Sequence, residues 1–167
     1  MKRFILQTLL IGSLVLTMSS CSSDGAELNT VDAKVMVDVP YAYSDLELET
    51  MALINEYRVS VGLNALEKIN YISGKSEVHD HYMIVNNVVN HDDFEARSED
   101  IVTKLGAKRV GENIAYNYRT AGDAVKAWLA SPGHKKNIEG DFTHFGLAIR
   151  ENATTGKKYY TNIFAKI

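Results

Sequence analysis

Cysteine and proline are scarce in this chain, whose 167 residues include two prolines and one cysteine, Cys21. A lone cysteine cannot form an internal disulfide, so the folded part must be held together by core packing. The chain also has no internal repeat and no low-complexity tract. Its hydrophobic fraction of 46% and charged fraction of 23% are typical of a globular chain, and its length allows one domain of ordinary size.

Acidic residues outnumber basic residues. The formal net charge is -3, and it becomes about -5 when the two positive charges near the start, Lys2 and Arg3, are left out. Nucleic-acid binding requires a basic surface that follows the phosphates, and the short pairs Lys135–Lys136 and Lys157–Lys158 do not form one. The composition therefore argues against a nucleic-acid partner.

The apolar run near the N-terminus is too short to cross a membrane. A positively charged start precedes a mostly apolar stretch over residues 4–16, and a spanning helix needs roughly 20 residues. The segment LTMSSC then leads through small residues to Cys21. This pattern resembles a bacterial lipoprotein signal, with a signal peptide at 1–20, a palmitate-type acyl chain on Cys21 and an extended tether over residues 21–43.

The lipoprotein interpretation predicts a location in the bacterial cell envelope. The membrane is then a partner through the lipid anchor on Cys21, with the domain facing the periplasm or the cell surface. The alternative is an ordinary secreted protein that has a cysteine near its cleavage site.

Residues 44–167 form the predicted folded domain, which begins with helical patterns and ends with strand patterns. Apolar residues at three- and four-residue steps follow an N-capping serine and predict a helix that ends at Gly62. Further helices are predicted over residues 71–86 and 121–129, the last with Trp128 as a core anchor. The segments HFGLAIRE and KKYYTNIFAKI predict two strands joined by a glycine-containing loop. This order predicts an α+β fold with an antiparallel sheet.

Three polar residues in separate predicted loops are candidates for a shared cavity. Glu112 lies between a glycine and an apolar run, so its carboxylate is expected to turn inward, where it needs a partner. His91 and His134 are the candidate partners. A carboxylate favours the charged form of a neighbouring imidazole, so at least one of the two is expected to have a pKa above about 6.5. Asp92–Asp93 and Arg97 are expected to be loop charges, paired with each other beside His91.

The remaining polar candidates are weaker. His79 and His81 lie two residues apart on a predicted helix and face different directions, so they cannot bind one metal as an HExxH pair would. His79 is expected to be packed on its helix face, and His144 is expected at the start of a strand. Ser131 stands beside Pro132–Gly133 and is expected to end a helix. No GxSxG elbow is present to make it a nucleophile.

Seven segments, in order, resemble the CAP superfamily of cysteine-rich secretory, antigen 5 and pathogenesis-related-1 proteins, in its bacterial SCP-like form. The segments are LINEYRVSVGLNAL, the HxxxM of His79 to Met83, HDDFEAR, GENIA, AVKAWLASPGHKKNI, DFTHFGLAI and YYTNIFA. The resemblance covers about residues 46–167. No single segment is decisive, but their common order makes the resemblance specific.

The resemblance implies an α-β-α sandwich, with helices on both sides of a central antiparallel sheet. It also implies a cavity lined by two histidines and two acidic residues that can hold a divalent metal. His91, Glu112 and His134 match three of these positions, and the second acidic residue has no counterpart after Trp128. With His91 and His134 as the histidine ligands, only weak binding of zinc or magnesium is expected.

Three classes of function remain open. The first is a cell-envelope binding module that holds a lipid, glycan or peptide beside His91, Glu112 and His134. The second is a cell-wall hydrolase that uses the same residues as catalytic groups, with or without a divalent metal. The third is a structural or interaction protein in which the three residues only brace loops. The family has no single agreed reaction, and a fold alone does not assign one.

Overall fold

The computed structural model of the chain describes residues 39–167. The predicted signal peptide, Cys21 and the tether as far as residue 38 lie outside the described residues. Within the described part, every helix falls short of the length and hydropathy that a bilayer-spanning segment requires. The elements follow in the order α1 (Asp45–Ser60), β1 (Glu67–Lys68), α2 (Asn70–Asn86), α3 (Phe94–Leu105), β2 (Arg109–Tyr116), α4 (Ala121–Ala130), α5 (Pro132–Ile138), β3 (His144–Glu151) and β4 (Lys158–Lys166).

A four-stranded sheet in the order β1-β3-β4-β2 forms the middle layer. β3, β4 and β2 pair antiparallel, whereas the two-residue β1 pairs in parallel with β3. The register places Glu112 of β2 beside Ile163 of β4, and Asn113 beside Asn162. Because neighbours along a strand point to opposite faces, Glu112 and Asn113 face different layers of the domain.

Helices cover both faces of the sheet. On one face, α2 and α3 pack through Ile72, Met83 and Ile101 against sheet residues that include Ile163. On the other face, α1, α4 and α5 pack against the sheet through a larger apolar cluster. That cluster includes Met51, Ile54, Val125, Trp128, Ile138, Phe145, Leu147, Tyr160 and Phe164. The predicted α-β-α sandwich with a central antiparallel sheet is confirmed.

The helices and strands with the clearest sequence patterns lie close to where they were predicted. α1 starts with a capping box, in which the backbone N–H of Glu47 donates to Ser44 and the Glu47 carboxylate accepts from the backbone N–H of Ser44. Gly62, two residues beyond α1, has a φ of 82°, which glycine adopts at little cost. α2, α4 and the β3–β4 hairpin confirm the other predicted elements.

α2 lies directly on the sheet, and this contact requires a glycine. A Cβ atom at Gly146 of β3 would lie 2.3 Å from the backbone nitrogen of Ser73. The hydroxyl of Ser76 donates to the carbonyl oxygen of the same glycine at 3.2 Å. The close approach sets the height of α2 above the sheet, and thereby the position of the residues that α2 presents near His91.

Three segments differ from their prediction. The segment that begins at Phe94 is the helix α3 and not a loop, although only one of its residues, Ile101, is fully buried. Glu112 lies on the strand β2, whose central residues are buried on both faces and therefore show no alternation. His134 lies on α5, because Pro132 both ends α4 and suits the first position of the next helix.

Candidate functional site

The centre of the candidate site is the buried carboxylate of Glu112. β2 presents this side chain toward the layer formed by α2 and α3, where it is 1% exposed. Nδ1 of His91 donates a hydrogen bond to Oε1 of Glu112 at 2.8 Å. A buried carboxylate needs such hydrogen-bond partners. The side chain of Glu112 points inward, as expected, and it contacts His91, as expected.

Arg97 of α3 is a second partner of Glu112. Its Nε donates to Oε2 at 3.0 Å, and its Nη2 lies 3.0 and 2.9 Å from Oε1 and Oε2. Its Nη1 donates to the backbone carbonyl oxygen of Asp92 at 2.6 Å. The expected pairing of Arg97 with the carboxylates of Asp92–Asp93 is therefore wrong. The guanidinium instead joins the strand that carries Glu112 to the loop that carries His91.

The loop that carries His91 is also held from α2. Nε2 of His79 lies 2.8 Å from the carbonyl oxygen of Asn90, and the His79 ring stacks on Tyr82 at 5.7 Å between centroids. Burial lowers the pKa of His79, so its neutral ring donates from Nε2 to this carbonyl. The hydroxyl of Tyr82 donates to Oδ2 of Asp92 at 2.7 Å. The expected packing role of His79 is confirmed, and the structure adds its hydrogen bond to the loop.

His134 lies near this group without bonding to it. The carbonyl oxygen of His134 accepts from Nδ2 of Asn113 at 3.0 Å, and Nδ2 of Asn137 donates to the carbonyl oxygen of Glu112 at 2.9 Å. These bonds join α5 to β2. Among the described residues, the imidazole of His134 has no hydrogen-bond partner. Burial first, and the neighbouring charge of His91 second, lower the pKa of His134, so the expected rise is wrong for this histidine.

The donors around Glu112 do not fit a divalent metal. Each carboxylate oxygen already accepts two contacts, Oε1 from His91 and Arg97 and Oε2 from two nitrogens of Arg97. Over residues 39–167, no group of three or more His, Cys, Asp or Glu side chains is arranged to hold a metal ion. Weak binding of a divalent metal by His91 and His134 stays a prediction, and the contacts around Glu112 argue against it.

The weaker candidates lie apart from this group. His81 has an exposed side chain on α2, 3.7 Å from Glu77. Nδ1 of His144 bonds to the hydroxyl of Thr143 at the start of β3. Ser131 lies between α4 and α5, which agrees with its expected role at a helix end.

A groove of about 630 Å³ opens beside His91. Its lining residues are His91, Asp93, Phe94, Glu95, Ala96 and Glu99. A second groove of about 330 Å³ lies between α2 and α3 and reaches His79 and Arg97. The larger groove therefore combines one imidazole and three carboxylates with the aromatic ring of Phe94.

Sequence reasoning missed Arg97 as a residue of the site. The signal that could have found it is the burial expected for Glu112, since a buried carboxylate is best matched by the permanent charge and forked donors of an arginine. Identifying Arg97 as this partner also requires knowing that residues 94–105 form the helix α3, which places Arg97 over β2.

Comparison with known proteins agrees with this architecture. Residues 51–164 match the model of the cysteine-rich secretory protein family, CAP. The uncharacterized membrane protein YlbC of Bacillus subtilis is 33% identical over 126 residues, which cover 72% of this chain and 34% of that protein. The protein YkwD of the same organism is 30% identical over 142 residues, which cover 83% of this chain and 53% of that protein. The chain thus spans about a third and about half of these relatives.

Solved structures share the fold at lower identity. An outer surface protein of Borrelia burgdorferi has a TM-score of 0.64 at 20% identity, covering 74% of this chain and 96% of that one. An extracellular protein containing an SCP domain from Bacillus anthracis has a TM-score of 0.64 at 24% identity, covering 78% and 45%. The three-layer sandwich with a histidine–glutamate pair beside its sheet is thus an SCP-like domain. The chain belongs to the cysteine-rich secretory protein (CAP) family.

Proposed function

We propose that this protein is exported, is retained in the cell envelope, and binds a glycan or peptide of the envelope in the groove beside His91. The leader pattern before Cys21 supports export. The names of similar proteins also support it, since they describe a membrane protein, an outer surface protein and an extracellular protein.

The observation that supports ligand binding most directly is the difference in solvent exposure between His91 and its partner Glu112. The His91 side chain is 51% exposed, whereas the Glu112 side chain is 1% exposed. The hydrogen bond between them occupies Nδ1 and fixes the ring, which leaves Nε2 free for a ligand. A half-exposed polar group held by a buried ion pair is pre-organised, so ligand binding loses less side-chain entropy.

The chemistry of the groove favours ligands that donate hydrogen bonds. Asp93, Glu95 and Glu99 line it together with His91 and the ring of Phe94. Carboxylates accept hydrogen bonds and attract amines, and an aromatic ring packs on the apolar face of a sugar or side chain. Hydroxyl-rich glycans and amine-bearing peptides meet these demands better than the acyl chain of a lipid.

Removing the His91 side chain is expected to weaken ligand binding at least about tenfold, because Nε2 and one wall of the groove are lost together. Purified cell-wall fragments would be titrated into wild type and His91→Ala, with binding followed by calorimetry. His81→Ala is the matched control, since His81 is an exposed histidine outside the groove. Equal affinities for wild type and His91→Ala would contradict the proposal.

A cell-wall hydrolase is the second candidate, favoured by the contact between Nδ1 of His91 and Glu112. A carboxylate that orients one ring nitrogen leaves the other available as a general base. The lowered pKa of His134 keeps that neighbouring imidazole neutral at pH 7. Mass spectrometry of the incubated fragments separates the candidates. New products lost in His91→Ala, Glu112→Gln and His134→Ala would select the hydrolase, and neither binding nor products would select a structural role.

Changing Cys21 to Ser is expected to release the protein from the membrane, because serine cannot carry the thioether lipid of a lipoprotein. Fractionation of cells that express wild type or Cys21→Ser measures the effect. The expected result is wild type in the membrane fraction and the variant in the soluble or secreted fraction. A variant that stays with the membrane would show that Cys21 is not the anchor.

A further inference from the structure

We propose that Arg97 is the built-in cation of this site, and that its guanidinium keeps divalent metals off Glu112. The observation is the set of contacts on the buried carboxylate, where Arg97 makes three contacts of 2.9–3.0 Å and reaches both oxygens. A metal ion would have to displace these contacts before it could bind. The inference concerns cation chemistry and stands whether or not the groove binds an envelope ligand.

The charge balance favours the arginine over a metal. The side chains of Arg97 and Glu112 are 11% and 1% exposed, so both charges are largely removed from water. Their charges cancel, and an arginine remains charged at any physiological pH. A divalent ion on Glu112 would place two further positive charges beside the guanidinium. With little water to screen the repulsion, that arrangement is unfavourable.

The fourth contact of Arg97 explains why its guanidinium is not easily displaced. Nη1 donates to the carbonyl oxygen of Asp92 at 2.6 Å, in the loop between α2 and α3. The same loop carries His91, whose Nδ1 contacts Glu112. Removing Arg97 from the carboxylate would therefore also loosen the loop that presents His91. Arg97 is a positioning residue, because it reaches the groove through Glu112 and this loop.

Removal of the guanidinium charge is expected to create a metal site that wild type lacks. Without Arg97, both oxygens of Glu112 and the nearby Nδ1 of His91 are available to zinc, and water can complete the coordination. Zinc would be titrated into full-length wild type, Arg97→Gln and Arg97→Lys by calorimetry, with circular dichroism to verify folding. Arg97→Gln is expected to bind zinc at least about tenfold more tightly than wild type. Arg97→Lys keeps a positive charge and is expected to remain close to wild type.

Zinc titrations of two further variants show where the metal binds. Adding Glu112→Gln to Arg97→Gln is expected to abolish the gain, which separates this site from zinc held by surface histidines. The single variant Glu112→Gln, in which Arg97 is unchanged, is expected to have the same zinc affinity as wild type. The proposal is overturned if folded Arg97→Gln binds zinc no better than wild type. It is also overturned if wild type binds zinc and loses it in Glu112→Gln.

Discussion

Replacing Trp128 with Ala is expected to lower the free energy of unfolding by about 3–5 kcal/mol. The Trp128 side chain is 1% exposed and joins α4 to the apolar layer on the sheet. Its ring meets Tyr160 edge to face at 6.5 Å between centroids. Its Nε1 donates to the carbonyl oxygen of Ile114 at 2.9 Å, on the strand that carries Glu112. The substitution removes a large apolar volume and leaves this carbonyl without its donor.

Chemical denaturation of wild type, Trp128→Ala and Trp128→Phe measures these contributions. Phenylalanine keeps much of the apolar volume but cannot donate to Ile114, so the loss is expected to be smaller, about 1–3 kcal/mol. An unchanged denaturation midpoint in Trp128→Ala would show that the side chain is exposed in solution. The burial predicted from the sequence would then be wrong.

Replacing Arg58 with Ala is expected to cost about 3 kcal/mol or more, because a buried side chain is removed and three backbone carbonyls each lose a hydrogen bond at once. Arg58 lies in the last turn of α1 and is fully buried. Its Nη1 donates to the carbonyl oxygens of Ile138 and Gly140 at 2.6 and 3.0 Å, and its Nη2 to that of Phe142 at 3.3 Å. These carbonyls lie at and beyond the end of α5, so Arg58 also supports the helix that carries His134.

Two variants separate the hydrogen bonds of Arg58 from its charge. Arg58→Lys keeps the charge but cannot reproduce the forked donors, so most of the loss is expected to remain. Arg119→Ala removes an exposed arginine and is expected to change stability by less than about 0.5 kcal/mol. Thermal unfolding of the set measures the effect. An Arg58→Ala variant as stable as Arg119→Ala would contradict the role of these bonds.

The elements that could be predicted from the sequence are those whose signals are local. The start of α1 follows from Ser44 and Glu47, which lie three residues apart and form a capping box. The hairpin of β3 and β4 follows from alternating apolar residues on either side of a loop that contains Gly156, where φ is 66°. In both cases the residues that decide the structure are close in sequence.

The parts that could not be predicted depend on contacts between distant residues. Arg97 and Glu112 are 15 residues apart, on a helix and a strand that sequence reasoning took for loops. α3 contributes one fully buried apolar residue, Ile101, and the charged residues at its start led to the loop assignment. The position of Glu112 and its contact with His91 could be inferred from the cost of burying a charge. Choosing Arg97 as its main partner required the fold itself.

Ligand binding in the presence of a metal chelator tests whether His91 binds an envelope ligand while Arg97 supplies the positive charge beside Glu112. Purified cell-wall fragments would be titrated by calorimetry into wild type, His91→Ala and His81→Ala, each with and without EDTA. EDTA is expected to leave the affinity of wild type unchanged. His91→Ala is expected to bind at least about tenfold more weakly, while His81→Ala matches wild type. Binding that disappears in EDTA, or that persists in His91→Ala, would contradict these roles of Arg97 and His91.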